Sequence, residues 1–241
     1  MKISVVVPAF NEEKLIADSL RSIRGAMEIF VRLGWETELI VCDNNSTDRT
    51  AELARAAGAQ VVFEPINQIS RARNRGAEAA SGDWLIFIDA DSRPSAELFS
   101  EVAEQIQSGR CLAGGCTVVL DEKYFVAGCV SQIWNLVSRI KKWTAGSFIF
   151  CETDAFRKIG EFSIELFISE EIDLSQRLKK LACERQKKLV ILHRHPLVTS
   201  ARKLKLYSHS EHLRFIRTVL FKPRATIKNR EACTPWYDGR R

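Results

Sequence analysis

The chain has 241 residues, of which 46% are hydrophobic and 27% charged, a composition that suits one large globular domain with a sizeable core. Its net charge of +6 is uneven: from Leu174 onward 18 Lys+Arg stand against 4 Asp+Glu (+14), whereas the first 173 residues carry 18 against 26 (−8). No run of about 18 apolar residues occurs, which speaks against an ordinary membrane-spanning helix, and the seven cysteines form no Cys-x-x-Cys pair, which speaks against zinc and against a disulfide framework.

In chain order, Ile3 to Val7 is a β-branched run expected as a strand buried on both faces. No leader segment precedes it, so a cytoplasmic chain is expected, at the inner face of the membrane if it touches one. Glu12 to Leu33 has apolar residues at helical spacing and closes on Gly34. Thr37 to Cys42 is the second strand, and Ser46-Thr47-Asp48 opens a helix that stops at Gly58. Gln60 to Phe63 is a third strand, Ser70 to Ala80 a helix, and Trp84 to Ile88 a buried strand that ends on Asp89-Ala90-Asp91. Alternation of this kind predicts an α/β fold, an open, mostly parallel mixed sheet with helices on both faces, in which ligands bind beyond the carboxyl ends of the strands. Three strand ends carry polar residues there: Pro8-Ala9-Phe10-Asn11-Glu12, Asp43-Asn44-Asn45-Ser46 and Asp89-Ala90-Asp91.

After Cys111 the alternation weakens. Leu112 to Leu120 is expected as a strand, Phe125 to Ile140 as a helix with an apolar side, Ser147 to Cys151 as a short strand and Glu170 to Leu181 as a helix. Lys188 to Leu192 and Leu197 to Ser200 are expected as two short strands, and Tyr207 to Phe221 as a last helix. The helix after Phe125 is followed by Lys141-Lys142-Trp143, so it is a candidate for peripheral membrane contact as well as for core or an acceptor-side lid. The whole chain, 1–241, reads as one domain: a half of alternating strands and helices over about 1–110, a less regular half over about 111–221 and an irregular tail over 222–241.

Two carboxylates at the exposed end of a buried strand, Asp89 and Asp91, can hold Mg²⁺ or Mn²⁺ while phosphates and waters complete the shell. Such a cation stabilises a leaving diphosphate. Asp-x-Asp alone is equally compatible with a turn that caps the next helix, and Ser92-Arg93-Pro94-Ser95 has the composition of that turn.

Taken together, Val5 to Glu12, Ile40 to Asp48, Arg71-Ala72-Arg73-Asn74-Arg75-Gly76, Phe87-Ile88-Asp89-Ala90-Asp91 and Glu170-Glu171-Ile172-Asp173 resemble, in order and spacing, the motifs of the inverting family 2 glycosyltransferases of GT-A fold. The resemblance covers residues 3 to about 205. It implies a donor site for a nucleotide-diphospho-sugar, UDP- or GDP-linked, formed by Pro8, Phe10, Glu12, Asp43, Arg71, Arg73, Asp89, Ala90 and Asp91, with Asp91 as the direct metal ligand and Asp89 near the ribose and metal. Arg202 and Lys203 would neutralise the leaving group. Glu171 would be the general base, with Glu170 and Asp173 as competitors. His193 and His195 stay outside this assignment.

The chain departs from the family at two points. Asp43-Asn44-Asn45-Ser46 stands where Asp-Asp-Gly-Ser is common, which weakens a base-recognition role for Asp43, and Glu170-Glu171 replaces the usual Glu-Asp. The acceptor, whether glycan, lipid phosphate or small metabolite, stays open. Two other readings compete: a nucleotide-sugar-binding module without turnover, and a nucleic-acid binder using the basic C-terminal third. The second lacks an aromatic platform or helix-turn-helix signature, so no nucleic-acid partner is expected.

Overall fold

The structure, a computed structural model, describes residues 1–122, 125–202, 206, 227–233 and 237. Its centre is an eight-stranded sheet of order β3-β2-β1-β4-β7-β6-β8-β5. The strands are β1 Lys2–Ala9, β2 Glu36–Asp43, β3 Gln60–Phe63, β4 Trp84–Ile88, β5 Ser92–Arg93, β6 Cys111–Leu120, β7 Phe148–Glu152 and β8 Lys188–Thr199. β3, β2, β1 and β4 run parallel, β7 is antiparallel to both β4 and β6, and β8 runs parallel to β6.

Period-two alternation of the central strands builds two cores. Ile3, Val5, Val7, Ile86 and Ile88 face one side with Ile16, Leu20, Ile23 and Phe30 of α1 (Ile16–Arg32), Ala54 of α2 (Thr50–Ala56), and Leu98, Phe99 and Val102 of α4 (Ala96–Gln107). Val6, Leu85 and Phe87 face the other with Ala77 of α3 (Ile69–Glu78), Phe156 of α6 (Thr153–Lys158), and Leu174 and Leu178 of α7 (Glu170–Glu184). A strand flanked by helices on both sides can spare no polar face, which is why β4 is buried at all five positions. On α3, Gly76 lets the helix come so close to β1 that a Cβ there would lie 2.4 Å from Val6 Cγ1.

Several boundaries differ from expectation. The first helix begins at Ile16, not Glu12, because Glu12 belongs to a turn whose carbonyl accepts from Leu15 and Ile16 N–H and whose own N–H donates to Thr50 Oγ1 at 2.7 Å. The second helix begins at Thr50, since the residues before it hydrogen-bond back to the loop after β1. The expected turn after Asp91 does lead into a helix, and Ser95 caps it by accepting from Leu98 N–H at 3.2 Å. The two strands expected around His193-Arg194-His195-Pro196 are one strand, β8: its register against β6 shifts between Cys116/Leu192 and Val118/Leu197. Such an irregularity accommodates a proline, whose nitrogen has no ladder hydrogen to give. The helix after Phe125 is α5, Phe125–Lys141. The helix expected over 207–221 lies outside the described residues. Among those described, no helix is long and apolar enough to cross a membrane.

Candidate active site

The chain order reverses direction at β1, with β2 on one side and β4 on the other, and the carboxyl ends of these strands open onto a cleft. Pro8, Phe10 and Glu12 line it from the end of β1, Asp89, Ala90 and Asp91 from the end of β4, and Asn44 from the end of β2. Asn67 and Ile69 at the start of α3, and Tyr237 from the C-terminal segment, complete the lining and were not foreseen. Tyr237 is fixed by an edge-to-face contact with Phe167 (5.5 Å between centroids) and by its hydroxyl, which donates to Phe167 O at 2.8 Å. The only sequence signal for it was a Trp-Tyr pair in a tail without periodicity.

The loops around the cleft are laced together. Asn11, at φ 53°, accepts through Oδ1 from Thr47 N–H at 2.8 Å, while its own N–H donates to Ser46 Oγ. Asn44, in the position where an aspartate is common, holds the 64–68 loop: Nδ2 donates to Ile66 O at 2.7 Å and Oδ1 accepts from Gln68 N–H at 2.9 Å. A carboxylate could not donate the first of these bonds. Asp43 is buried, and its Oδ1 accepts from Ser46 N–H at 3.1 Å in an Asx turn.

Arg73 is the largest fully buried side chain among the described residues, and it joins the two acidic segments. Nη1 donates to Glu170 Oε1 at 2.7 Å, while Nη2 donates to Asp89 Oδ1 at 3.1 Å and to Gly146 O at 2.7 Å. Its guanidinium carbon stands 5.1 Å from the centroid of Phe162. The segment after β4 and the N-terminus of α7 are therefore one guanidinium apart. Glu170 is buried in this pair, and Asp173 is tied to Arg177 of the next turn at 2.6 Å. Glu171 is half-buried beside Gly146, whose added Cβ would lie 3.7 Å from its carboxyl carbon. Burial, and next the charge of Glu170, push its carboxyl up to about 8.

Asp91 faces the cleft from the other side. Its Oδ2 lies 3.8 Å from Arg202 Nη2, and the same nitrogen donates to both oxygens of Glu12 at 2.7 Å. Among the described residues Arg202 Nε and Nη1 are buried without hydrogen-bond partners, donors of the kind that phosphate oxygens satisfy. No group of three or more His, Cys, Asp or Glu suited to a metal occurs among the described residues. Two carboxylates at a cleft do fit Mg²⁺ or Mn²⁺ held jointly with substrate phosphates, since these ions keep much of their shell for water and phosphate.

Other anticipated residues stand apart. Arg71 donates to Gln68 Oε1 at 3.1 Å and does not line the cleft, although it lies two residues from Arg73. Lys203 is outside the described residues. His193 is exposed on β8, and His195 Nδ1 is 2.6 Å from Glu101 Oε1 on α4. Cys42, Cys111, Cys116 and Cys151 are buried thiols outside any disulfide, and Cys183 is an exposed one.

A doubly wound α/β half whose acidic strand end is joined through Arg73 to an acidic helix start has the architecture of a glycosyltransferase. The chain belongs to the family described as Glycosyl transferase family 2, which it matches over residues 4–156. Among curated relatives, it is 31% identical to a dolichol-phosphate mannosyltransferase of Pyrococcus furiosus over 124 residues, 49% of this chain and 34% of that protein. An undecaprenyl-phosphate 4-deoxy-4-formamido-L-arabinose transferase of Pseudomonas aeruginosa is 33% identical over 124 residues, 46% and 34% of the two chains. The chain thus spans about a third of the length of these relatives. Among solved structures, the mannosyltransferase PcManGT of Pyrobaculum calidifontis, in complex with GDP-Man and Mn²⁺, superposes with a TM-score of 0.68 at 16% identity, covering 98% of this chain and 67% of that one. S. aureus TarS 1-349 gives 0.67 at 20% identity, covering 99% and 79%. The fold is GT-A.

Proposed function

We propose that the chain is a divalent-metal-dependent, inverting glycosyltransferase that moves a sugar from a UDP- or GDP-linked donor to a hydroxyl or phosphate acceptor by single displacement. The observation that carries it is Arg73, which hydrogen-bonds both Asp89 and Glu170 and so brings the start of α7, with Glu171, next to the Asp89-Ala90-Asp91 segment. Solved neighbours of the same fold hold GDP-Man with Mn²⁺, or UDP with Mn²⁺, which supports the same kinds of donor and ion here.

In this reading Pro8, Phe10 and Glu12 receive the nucleoside. Asp91, with Asp89, would hold Mg²⁺ or Mn²⁺, which supplies charge neutralisation to the leaving diphosphate. Arg202, whose Nε and Nη1 have no hydrogen-bond partner among the described residues, would offer these donors to the phosphates. Asp43 and Arg71 support the pocket through the turns they brace rather than by lining it. Of the three acidic residues at the start of α7, Glu171 is the base, because Glu170 is engaged by Arg73 and Asp173 by Arg177. Its carboxylate takes the acceptor hydroxyl proton as that oxygen bonds to the anomeric carbon and the bond to the diphosphate breaks. The acceptor class is open among glycan, small metabolite and lipid phosphate, the last being the one that the names of two relatives contain.

The Glu171→Gln variant tests the assignment. Transfer from the active UDP- or GDP-sugar should fall by about 10²- to 10⁴-fold while nucleotide binding persists. Undiminished transfer would remove Glu171 as the base. Nucleotide binding by the unaltered chain without transfer to any acceptor would favour the binding-module reading.

A further inference from the structure

The polarity of α5 is inverted. The side chains that hold it to the sheet are polar: Ser131 Oγ donates to Val118 O at 3.1 Å, Asn135 Nδ2 donates to the same carbonyl at 2.8 Å, and Asn135 Oδ1 accepts from Val118 N–H at 3.0 Å. Ser138, buried, donates to Trp143 O. The opposite side is apolar and open. Val130, Ile133, Leu136 and Ile140 follow one another at spacings of three and four residues, which puts them on one side of a helix, and they are 61%, 64%, 57% and 67% exposed. An isolated exposed leucine is ordinary; four in one stripe are not.

Charge bears on what would suit the stripe. α5 contains no Asp or Glu and ends in Arg139 and Lys141, with Lys142 next in the chain. Lys179 of α7 reaches the same end, its Nζ 3.5 Å from Lys141 O. None of these four cations forms an ion pair among the described residues. An apolar stripe ending in unneutralised cations matches the interface of an anionic bilayer, which takes up apolar side chains and attracts Lys and Arg at its headgroups. Three residues beyond Lys142 the chain reaches Ala145 and then Gly146, beside Glu171 and Arg73.

We propose that the exposed stripe of α5, with Arg139, Lys141, Lys142 and Lys179, docks the protein on an anionic phospholipid surface and sets the acceptor side of the cleft against it. The orientation of the cleft rests on the transferase reading; the docking itself does not. The test is co-sedimentation of the full chain with phosphatidylcholine vesicles with and without roughly a third phosphatidylglycerol. Binding to the anionic vesicles is expected, at least about tenfold weaker for the combined variant Val130→Ser, Ile133→Ser, Leu136→Ser, Ile140→Ser. Arg139→Gln, Lys141→Gln and Lys142→Gln together should remove the preference for anionic lipid. These positions lie outside the cleft, so the thermal shift given by nucleotide should be unchanged. Wild-type protein that stays in the supernatant, or an apolar variant that sediments equally well, overturns the proposal. So does an oligomer in sedimentation velocity that the apolar variant dissolves, which would assign the stripe to a second copy. Loss of vesicle binding with a retained nucleotide shift leaves the transferase reading intact; the converse removes that reading and leaves the docking.

Discussion

Arg73 and Glu171 illustrate how far a buried charge depends on its neighbours. A guanidinium with 1% exposure is stable there because Glu170 and Asp89 accept from it, and removing either partner of such a pair strands the other. Glu171 sits beside that pair without an ion-pair partner of its own among the described residues, and its carboxyl is raised. The sign of the consequence follows from proton counting. Between its ordinary value near 4.5 and about 8 the folded protein keeps a proton that the unfolded chain has released, so this residue makes stability fall as pH rises through that window. Replacing it with Gln, which never ionises, should leave stability unchanged near pH 4 and raise it by about 1–2 kcal/mol above pH 8, after allowing for partial solvent screening. Urea denaturation at both ends of the range measures this; a variant equally stabilised at both would contradict the raised carboxyl. The same residue predicts that kcat/KM climbs as pH approaches 8.

The elements that position these side chains were legible in different degrees. β1, β2, β3 and β4 are short β-branched or aromatic runs with turn residues at each end, and they fall within a residue or two of expectation. Ser92–Arg93 and Thr153–Lys158 are too short to carry a period, and both were missed. The asparagine at 44 registered as the loss of an acid, whereas its hydrogen bonds to the 64–68 loop come from tertiary contact that no local pattern encodes. Arg71 and Arg73 are indistinguishable as letters; what separates them is burial, set by how closely α3 packs on β1. Gly76 controls that approach. Gly76→Ala, although Ala is the better helix former, should cost about 1–2 kcal/mol because its Cβ would press on Val6. Gly25→Ala on α1, where nothing lies within 4 Å, should instead stabilise by roughly 0.5–1 kcal/mol. Equal effects in denaturant titrations of the two variants would mean that α3 is not held close to β1.

At the scale of the molecule, part of the charge asymmetry of the sequence is met within the fold by ion pairs among the described residues. Arg185 and Lys187 pair with Glu152, Arg194 with Glu101 and Glu104, Arg202 with Glu12, and Lys228 with Glu165, each joining the basic C-terminal third to the acidic remainder. These pairs neutralise part of that third among the described residues, whereas the cations at the end of α5 form none there. The pair Arg202–Glu12 ties the segment after β8 to a residue that lines the cleft. The central claim, that Asp91 and its neighbours receive a nucleoside diphosphate with a divalent cation, is tested most directly by thermal unfolding with UDP or GDP, each with and without Mn²⁺. At about a hundred times the dissociation constant, one of the nucleotides should raise the midpoint by roughly 5–10 °C with Mn²⁺, and Asp91→Asn should abolish the gain. A midpoint that neither nucleotide moves, or one that moves equally with chelator present and in Asp91→Asn, would contradict it.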